Sequence, residues 1–374
     1  MDSIKQFYKQ HSTIFAIIKL LIFLYFFIFS LELMGASLKL FGKEMVTSLI
    51  QTTTNPIVGL FIGILATSII QSSSSTTAIV VGMVGSGVVA DPNATAALIS
   101  NTIPIIMGAN IGTSVTNTLA SLTQINRSGE FQRSFAAAIV HDYFNLLAVL
   151  VLFPIQYFTN FIGYFATQMG QQFQHIGGLK FLSPVKALTH PLVEILKNLI
   201  GDHPWILLIL SLIFLLFSLK KMVDALKSLI VNKAEAWFDR YLFKTQIRAF
   251  MVGLLLTVMV QSSSITTSIA VPMAGAGLLT LEQIFPYTLG ANIGTTVTAI
   301  LAALVTGNMA GIIVAFSHLL FNIFGMIVWW PLKIVPIFFA KSFSRLAVYN
   351  KFIPIIYIII IFFVIPIIII YFLK

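Results

Sequence analysis

Two hydroxyl-rich runs recur in this chain: Gln71–Thr77 reads QSSSSTT and Gln261–Thr267 reads QSSSITT. A serine hydroxyl has one donor hydrogen and two acceptor lone pairs, and a glutamine amide has two donors and an acceptor. If a helix starts at the serines, its first backbone N–H groups are free and point into the same space. Ser72, Ser73 and Ser74 with Ser262, Ser263 and Ser264 would then form a donor-rich pocket for a tetrahedral oxyanion, with no Arg or Lys needed. The same atoms supply carbonyl and hydroxyl oxygens that suit Na+. A single SSS run is more simply explained as small residues packing helices together. Two copies on a shared plan favour binding.

Two further landmarks are doubled. Gly108–Thr116 reads GANIGTSVT and Gly290–Thr298 reads GANIGTTVT, while His141–Asn145 (HDYFN) is echoed by His318–Asn322 (HLLFN). Gly108, Gly112, Gly290 and Gly294 allow a helix break or a close backbone approach. A break would expose carbonyls that serve as Na+ ligands. Asn110, Asn292, Thr113, Thr116, Thr118, Thr295 and Thr298 add side-chain oxygens. Asp142 lies in an apolar stretch, Ser134–Leu152, where a carboxylate is costly and usually functional. Ionised there it needs a cation, and Na+ is the candidate; the second copy has Leu319 at the matching position. His141 and His318 read as hydrogen-bonded packing residues, because neither has a second ligand at i+4 in a metal pattern.

These groups sit in an oily chain. Of 374 residues, 58% are hydrophobic and 9% charged, a composition that excludes a soluble protein and requires an all-α polytopic membrane protein. The absence of cysteine excludes disulfides and thiolate chemistry. The net charge of +10 reads as topology rather than nucleic-acid binding, with Lys and Arg gathered in short connections. Ile14–Leu33 is long enough for a first transmembrane helix and too long for a signal peptide. Residues 1–44 form a cytoplasmic segment plus this helix, and residues 45–165 a first repeat unit. Residues 166–203 read as an external loop, and 204–249 as a connecting helix with a basic cytoplasmic loop. Residues 250–340 are a second unit and 341–374 a terminal helix, with Pro354 and Pro366 expected to kink it. Arms such as Pro56–Ile70 are too short to span alone, so each QSSS run is expected at the tip of a re-entrant hairpin. The runs and the GANIG motifs are 37 residues apart in the first unit and 29 in the second, the excess falling near Ser86–Ser100.

Taken together, the paired QSSS and GANIG motifs and the segment RSFAAAIVHDYFN resemble the type II sodium-dependent phosphate cotransporters, over about Val46 to Trp330. The resemblance implies two inverted repeats with facing hairpins and import of inorganic phosphate, as HPO4 2−, on the Na+ gradient. It implies phosphate held by the six tip serines. Gln71, Gln261, Gln124, Asn145, Thr295 and Thr298 match positions linked to Na+. Electrogenic members carry two alanines and an aspartate, matched here by Ala136, Ala138 and Asp142. Ala291 stands where many members have serine, and Arg127 where an acidic residue is common. The compact size and short tails look bacterial, which implies the cytoplasmic membrane with both termini in the cytoplasm. No cofactor, transition metal, nucleic acid or enzymatic step is expected; the partners are phosphate, Na+ and the bilayer. One rival keeps the class and changes the cargo to sulfate, arsenate or a dicarboxylate. The others are an anion channel and an intramembrane hydrolase, the latter opposed by paired motifs and the lack of a GxSxG elbow.

Overall fold

Asn55 and Pro56 start the first hairpin. The Asn55 side chain accepts from the Ile57 amide at 3.0 Å, and Pro56 fills the first helical position, where no amide is needed. This computed structural model describes residues 12–41, 55–89, 91–175, 183–201, 203–237 and 243–373, and every regular element among them is helical. In chain order these are α1 (Ser12–Leu40), α2 (Pro56–Ile70), α3 (Ser73–Gly85), α4 (Pro92–Thr113), α5 (Val115–Ser121) and α6 (Ser128–Thr159). Next come α7 (Phe161–His175), α8 (Ser183–Ile200), α9 (Pro204–Trp237), α10 (Gln246–Val260) and α11 (Ser263–Gly275). The last four are α12 (Leu281–Thr306), α13 (Met309–Trp329), α14 (Ile334–Tyr349) and α15 (Phe352–Leu373). Seven stretches among the described residues are long and apolar enough to cross a bilayer, which makes this a multi-pass membrane protein. The hairpin arms α2, α3 and α10 are shorter.

The two units are built alike. Helix α2 packs along α4, and α10 along α12. Each seam closes at glycine. A Cβ on Gly108 would collide with the Leu60 carbonyl, and one on Gly290 with the Phe250 carbonyl. Gly63 and Gly253 face the Ile105 and Tyr287 carbonyls across the same seams. The second helix of each hairpin then crosses to the other unit. Helix α3 packs on α12 and α13, while α11 packs on α5 and α6. Neither half can therefore complete its core alone.

Of the two roles open to the GANIG glycines, the structure shows the close approach and not the break: residues 108–112 and 290–294 are helical throughout. Their glycines serve the close seams instead, where an unbroken helix buries more surface. The only interruption nearby is at Ser114, between α4 and α5, and α12 has no counterpart to it. The stretch 166–203, read as a loop, is helical over its described parts, in α7 and α8, and residues 176–182 lie outside the described residues. Similarly, the basic stretch after Lys220 continues α9 to Trp237, with residues 238–242 outside the described residues. The terminal helix carries a π-helical turn at Ile360–Val364 just before Pro366, whose missing amide cannot continue the ladder.

Candidate functional site

Both QSSS runs form the same break. Helix α2 ends on Gln71 at φ 57°, and α10 ends on Gln261 at φ 56°. These are two of three non-glycine residues with positive φ among the described residues. Each costs about 1–2 kcal/mol and persists where the surroundings demand it. Ser72 and Ser262 follow in extended backbone and cap the next helix. Their Oγ atoms accept from the amides of Ser75, at 3.2 Å, and Ile265, at 3.4 Å. The Ser72 and Ser262 carbonyls take the amides of Thr76 and Thr266, each at 3.1 Å. The amides of Ser73, Ser74, Ser263 and Ser264 therefore stay uncommitted among the described residues, at two helix N-termini. The Ser73 and Ser263 hydroxyls are likewise unengaged there, although both residues are buried.

The tips meet each other. Ser74 Oγ donates to the Gln261 carbonyl at 3.4 Å, and Ser264 Oγ donates to the Gln71 carbonyl at 3.4 Å. The six serines predicted to act together are thus brought to one place, from segments 190 residues apart in the chain. The donors of both helix starts converge with no basic residue in either motif, an arrangement able to hold an oxyanion by neutral hydrogen bonds.

Beside the tips runs a buried polar chain. Thr267 Oγ1 donates to Asn117 Oδ1 at 2.9 Å, and Asn117 Nδ2 donates to His141 Nδ1 at 3.0 Å. His141 Nε2 donates to Asn292 Oδ1 at 2.7 Å, and Asn292 Nδ2 to Asn145 Oδ1 at 2.9 Å. Asn145 Nδ2 ends the chain on the Asn110 carbonyl at 2.8 Å. Asn322 Nδ2 reaches Asn110 Oδ1 at 3.3 Å. The Asn110 carbonyl can only accept, which orients Asn145 and Asn292 and assigns a proton to His141 Nε2.

Next to His141, the fully buried Asp142 takes two hydroxyls on one oxygen. Thr118 Oγ1 donates to its Oδ2 at 3.1 Å and Tyr357 OH at 3.0 Å. Among the described residues its Oδ1 has no partner, and neither have the buried oxygens Thr116 Oγ1, Gln124 Oε1 and Asn322 Oδ1. Oxygens left bare at membrane depth fit a hard monovalent cation. Among the described residues no three His, Asp or Glu side chains gather as a metal cage, so the oxygen donors are amides, hydroxyls and this one carboxylate.

The predicted sodium residues fall into separate groups. Asn110, Asn145 and Asn292 share the polar chain, and Thr118 joins Asp142. Gln261 Oε1 accepts from Thr298 at 2.6 Å, whereas Gln71 has an exposed side chain. Thr295 bonds only the Ala291 carbonyl, at 3.0 Å. Gln124 lies apart, against Gly275. Arg127, at the other departure from the family pattern, is exposed and pairs with Glu130 at 3.1 Å. Sequence reasoning missed Asn117, Thr267, Asn322 and Tyr357 as site residues. Thr267 and Asn322 belong to the doubled motifs and could have been found by treating every polar position there as a candidate. Asn117 and Tyr357 carry no such signal.

A family model described as Na+/Pi-cotransporter matches residues 26–182 and 214–330. The chain is 32% identical to sodium-dependent phosphate transport protein 2B of Homo sapiens, over 94% of this chain and 64% of that protein. It is also 32% identical to sodium-dependent phosphate transport protein 2A of Mus musculus, over 93% of this chain and 66% of that protein. It thus spans somewhat under two thirds of the length of these relatives. No solved structure matches it.

Proposed function

Since the chain belongs to the Na+/Pi-cotransporter family, we propose that it imports inorganic phosphate, as HPO4 2−, on the Na+ gradient by alternating access. The observation that carries this reading is the crossed pair of tip contacts, Ser74 to the Gln261 carbonyl and Ser264 to the Gln71 carbonyl. Around it lie four free amides and two free hydroxyls. In the proposed mechanism Ser72, Ser73 and Ser74 grip the anion from one side, and Ser262, Ser263 and Ser264 from the other. Neutral donors solvate the dianion without cancelling its charge, so cations must enter with it. Na+ would be held by Asp142 with Thr118, by the Asn110, Asn145 and Asn292 cluster, and by Gln71, Gln124, Gln261, Thr295 and Thr298. That dependence of anion on cation is the coupling.

Asp142 makes the cycle electrogenic in this reading. A fixed carboxylate favours one Na+ beyond the two that would balance HPO4 2−, so net positive charge moves inward. Each such charge gains about 2.3 kcal/mol per 100 mV of membrane potential. The repeats are read as inverted, so that alternate rearrangement opens the tips to opposite sides of the cytoplasmic membrane. The basic connection around Lys220 and Lys221 argues for a cytoplasmic location of that segment.

The test is labelled phosphate uptake into proteoliposomes holding the purified protein, under an inward Na+ or K+ gradient, with voltage at zero or negative inside. Uptake that requires Na+ and rises with negative potential is expected. Absence of Na+-dependent phosphate uptake, with sulfate or a dicarboxylate taken up instead, would move the cargo to that anion.

A further inference from the structure

The Asp142 carboxylate is used unevenly. Two hydroxyls from different parts of the chain converge on Oδ2, and Oδ1 is bare. Thr118 comes from α5, just past the interruption at Ser114. Tyr357 comes from the terminal helix α15, 215 residues beyond Asp142 and outside the residues that the family model matches. The Tyr357 ring is wedged between neighbours. Its centroid is 5.1 Å from that of Phe343 on α14 and 6.1 Å from that of Phe362, which is fully buried. Phe362 belongs to the π-helical turn Ile360–Val364, which shifts the register of the helix directly after Tyr357. The same helix packs along the first hairpin arm α2, and its end meets the start of that arm, where Asn55 Nδ2 donates to the Leu373 carbonyl at 3.4 Å. Helix α15 therefore touches both the hairpin that carries one serine tip and the carboxylate.

We propose that Tyr357 is a positioning residue of the cation site, its hydroxyl acting with that of Thr118 to pin Asp142 Oδ2 so that Oδ1 faces the Na+. A carboxylate free to rotate would present either oxygen and lose orientational entropy when it bound a cation. One already held by two donors is set for binding before the ion arrives. The two donors occupy Oδ2, while Oδ1 has no hydrogen-bond partner among the described residues. The inference rests on the reading of Asp142 as a Na+ ligand. It adds a residue from a helix that the repeats do not contain, and makes α15 part of the coupling machinery rather than a lipid-facing appendage.

The test uses the purified full chain in detergent and titrates Na+ against choline at constant ionic strength, reading thermal stability, so that no cargo is needed. Tyr357→Phe removes one oxygen and keeps the ring between Phe343 and Phe362. It is expected to raise the Na+ midpoint about fivefold, the ratio that one ordinary hydrogen bond supports. The melting temperature without Na+ should fall by no more than the loss of that one hydrogen bond implies, with Thr118 still bonded to Oδ2. In an Asp142→Gly background the same substitution should leave the midpoint where Asp142→Gly alone sets it, because the hydroxyl has nothing left to orient. Tyr357→Leu removes the hydroxyl by another route and should give the same shift. A wild-type Na+ midpoint in Tyr357→Phe, or an equal shift with and without Asp142, overturns the proposal alone. A Na+ response that Asp142→Gly leaves intact overturns the parent assignment of Asp142, and the proposal with it.

Discussion

The two hairpin tips share a backbone and differ in how their side chains are spent. At the second tip Gln261 is buried, with its amide between the Val258 carbonyl and the Thr298 hydroxyl, both at 2.6 Å. At the first, Gln71 is exposed, and Thr116, which occupies the position matching Thr298, has a buried hydroxyl with no partner. The first tip instead ties its own arms together. Thr67 Oγ1 donates to Thr76 Oγ1 at 3.0 Å, while the matching Thr257 hydroxyl is unbonded. The contrast continues away from the tips: His141 bridges two asparagines, and His318 uses neither nitrogen among the described residues. On the proposed function, the phosphate contacts would be duplicated, whereas the groups proposed for Na+ are arranged differently in the two halves. A tetrahedral anion presents similar oxygens to both sides and is served by two like clamps. Cations that differ in number and charge balance need sites that differ.

Substitutions in matched pairs can break or sharpen this comparison. The largest effect is expected where the halves are alike in packing. Gly108→Ala and Gly290→Ala each drive a methyl into a backbone carbonyl that cannot retreat, and neither variant should accumulate as folded protein on size-exclusion chromatography. Gly129→Ala, which meets open space, serves as the control. Next come the tips. Ser73→Ala and Ser263→Ala should each weaken phosphate affinity by about ten- to a hundredfold in uptake assays, as loss of one bond to a charged ligand of about 1.5–3 kcal/mol implies. A defect confined to one of them would refute the two-sided clamp. The unlike positions should give unlike results. Asp142→Gly is expected to retain some uptake while its charge moved per phosphate, measured by current with tracer flux, drops by about one elementary charge. An unchanged ratio would remove Asp142 from coupling. A stability readout, rather than a transport one, distinguishes the histidines. His141→Phe strands Asn117 and Asn292 at about 1–3 kcal/mol each and should lower the melting temperature, whereas His318→Phe breaks no bond made by its ring and should be close to neutral.

The doubled architecture was legible in the sequence because its causes are local and repeated. A polar tip between two short apolar arms permits little besides a helix–break–helix, and Gly63 with Gly108 recurs as Gly253 with Gly290. The pairing of the two serine runs, whose tips meet, followed from the same argument. Less visible was the polar chain, since a hydrogen bond between Asn117 and Thr267 depends on α11 crossing to the opposite unit, which no spacing encodes. Tyr357 was harder still, being one hydroxyl on a helix otherwise almost wholly apolar. The helices that cross residues 166–200, where the sequence reads as loop, show only when the polar residues there are phased. Gln and His at helical intervals mark the wet side of an amphipathic helix as well as they mark a loop.

The chain from Thr267 to the Asn110 carbonyl has one more property: its arrows all point the same way. Asn117, His141, Asn292 and Asn145 each accept on one side and donate on the other, and the run ends on a backbone carbonyl that can only accept. It works like a zipper whose teeth engage only in one sense. A slide of one half against the other by a single helical turn, about 5.4 Å, would undo every link between the halves together. Partial slippage gains nothing, because each stranded amide costs what a complete slip would cost it. The buried chain thus holds the halves in this setting against small displacements, as the alternating access proposed above would require.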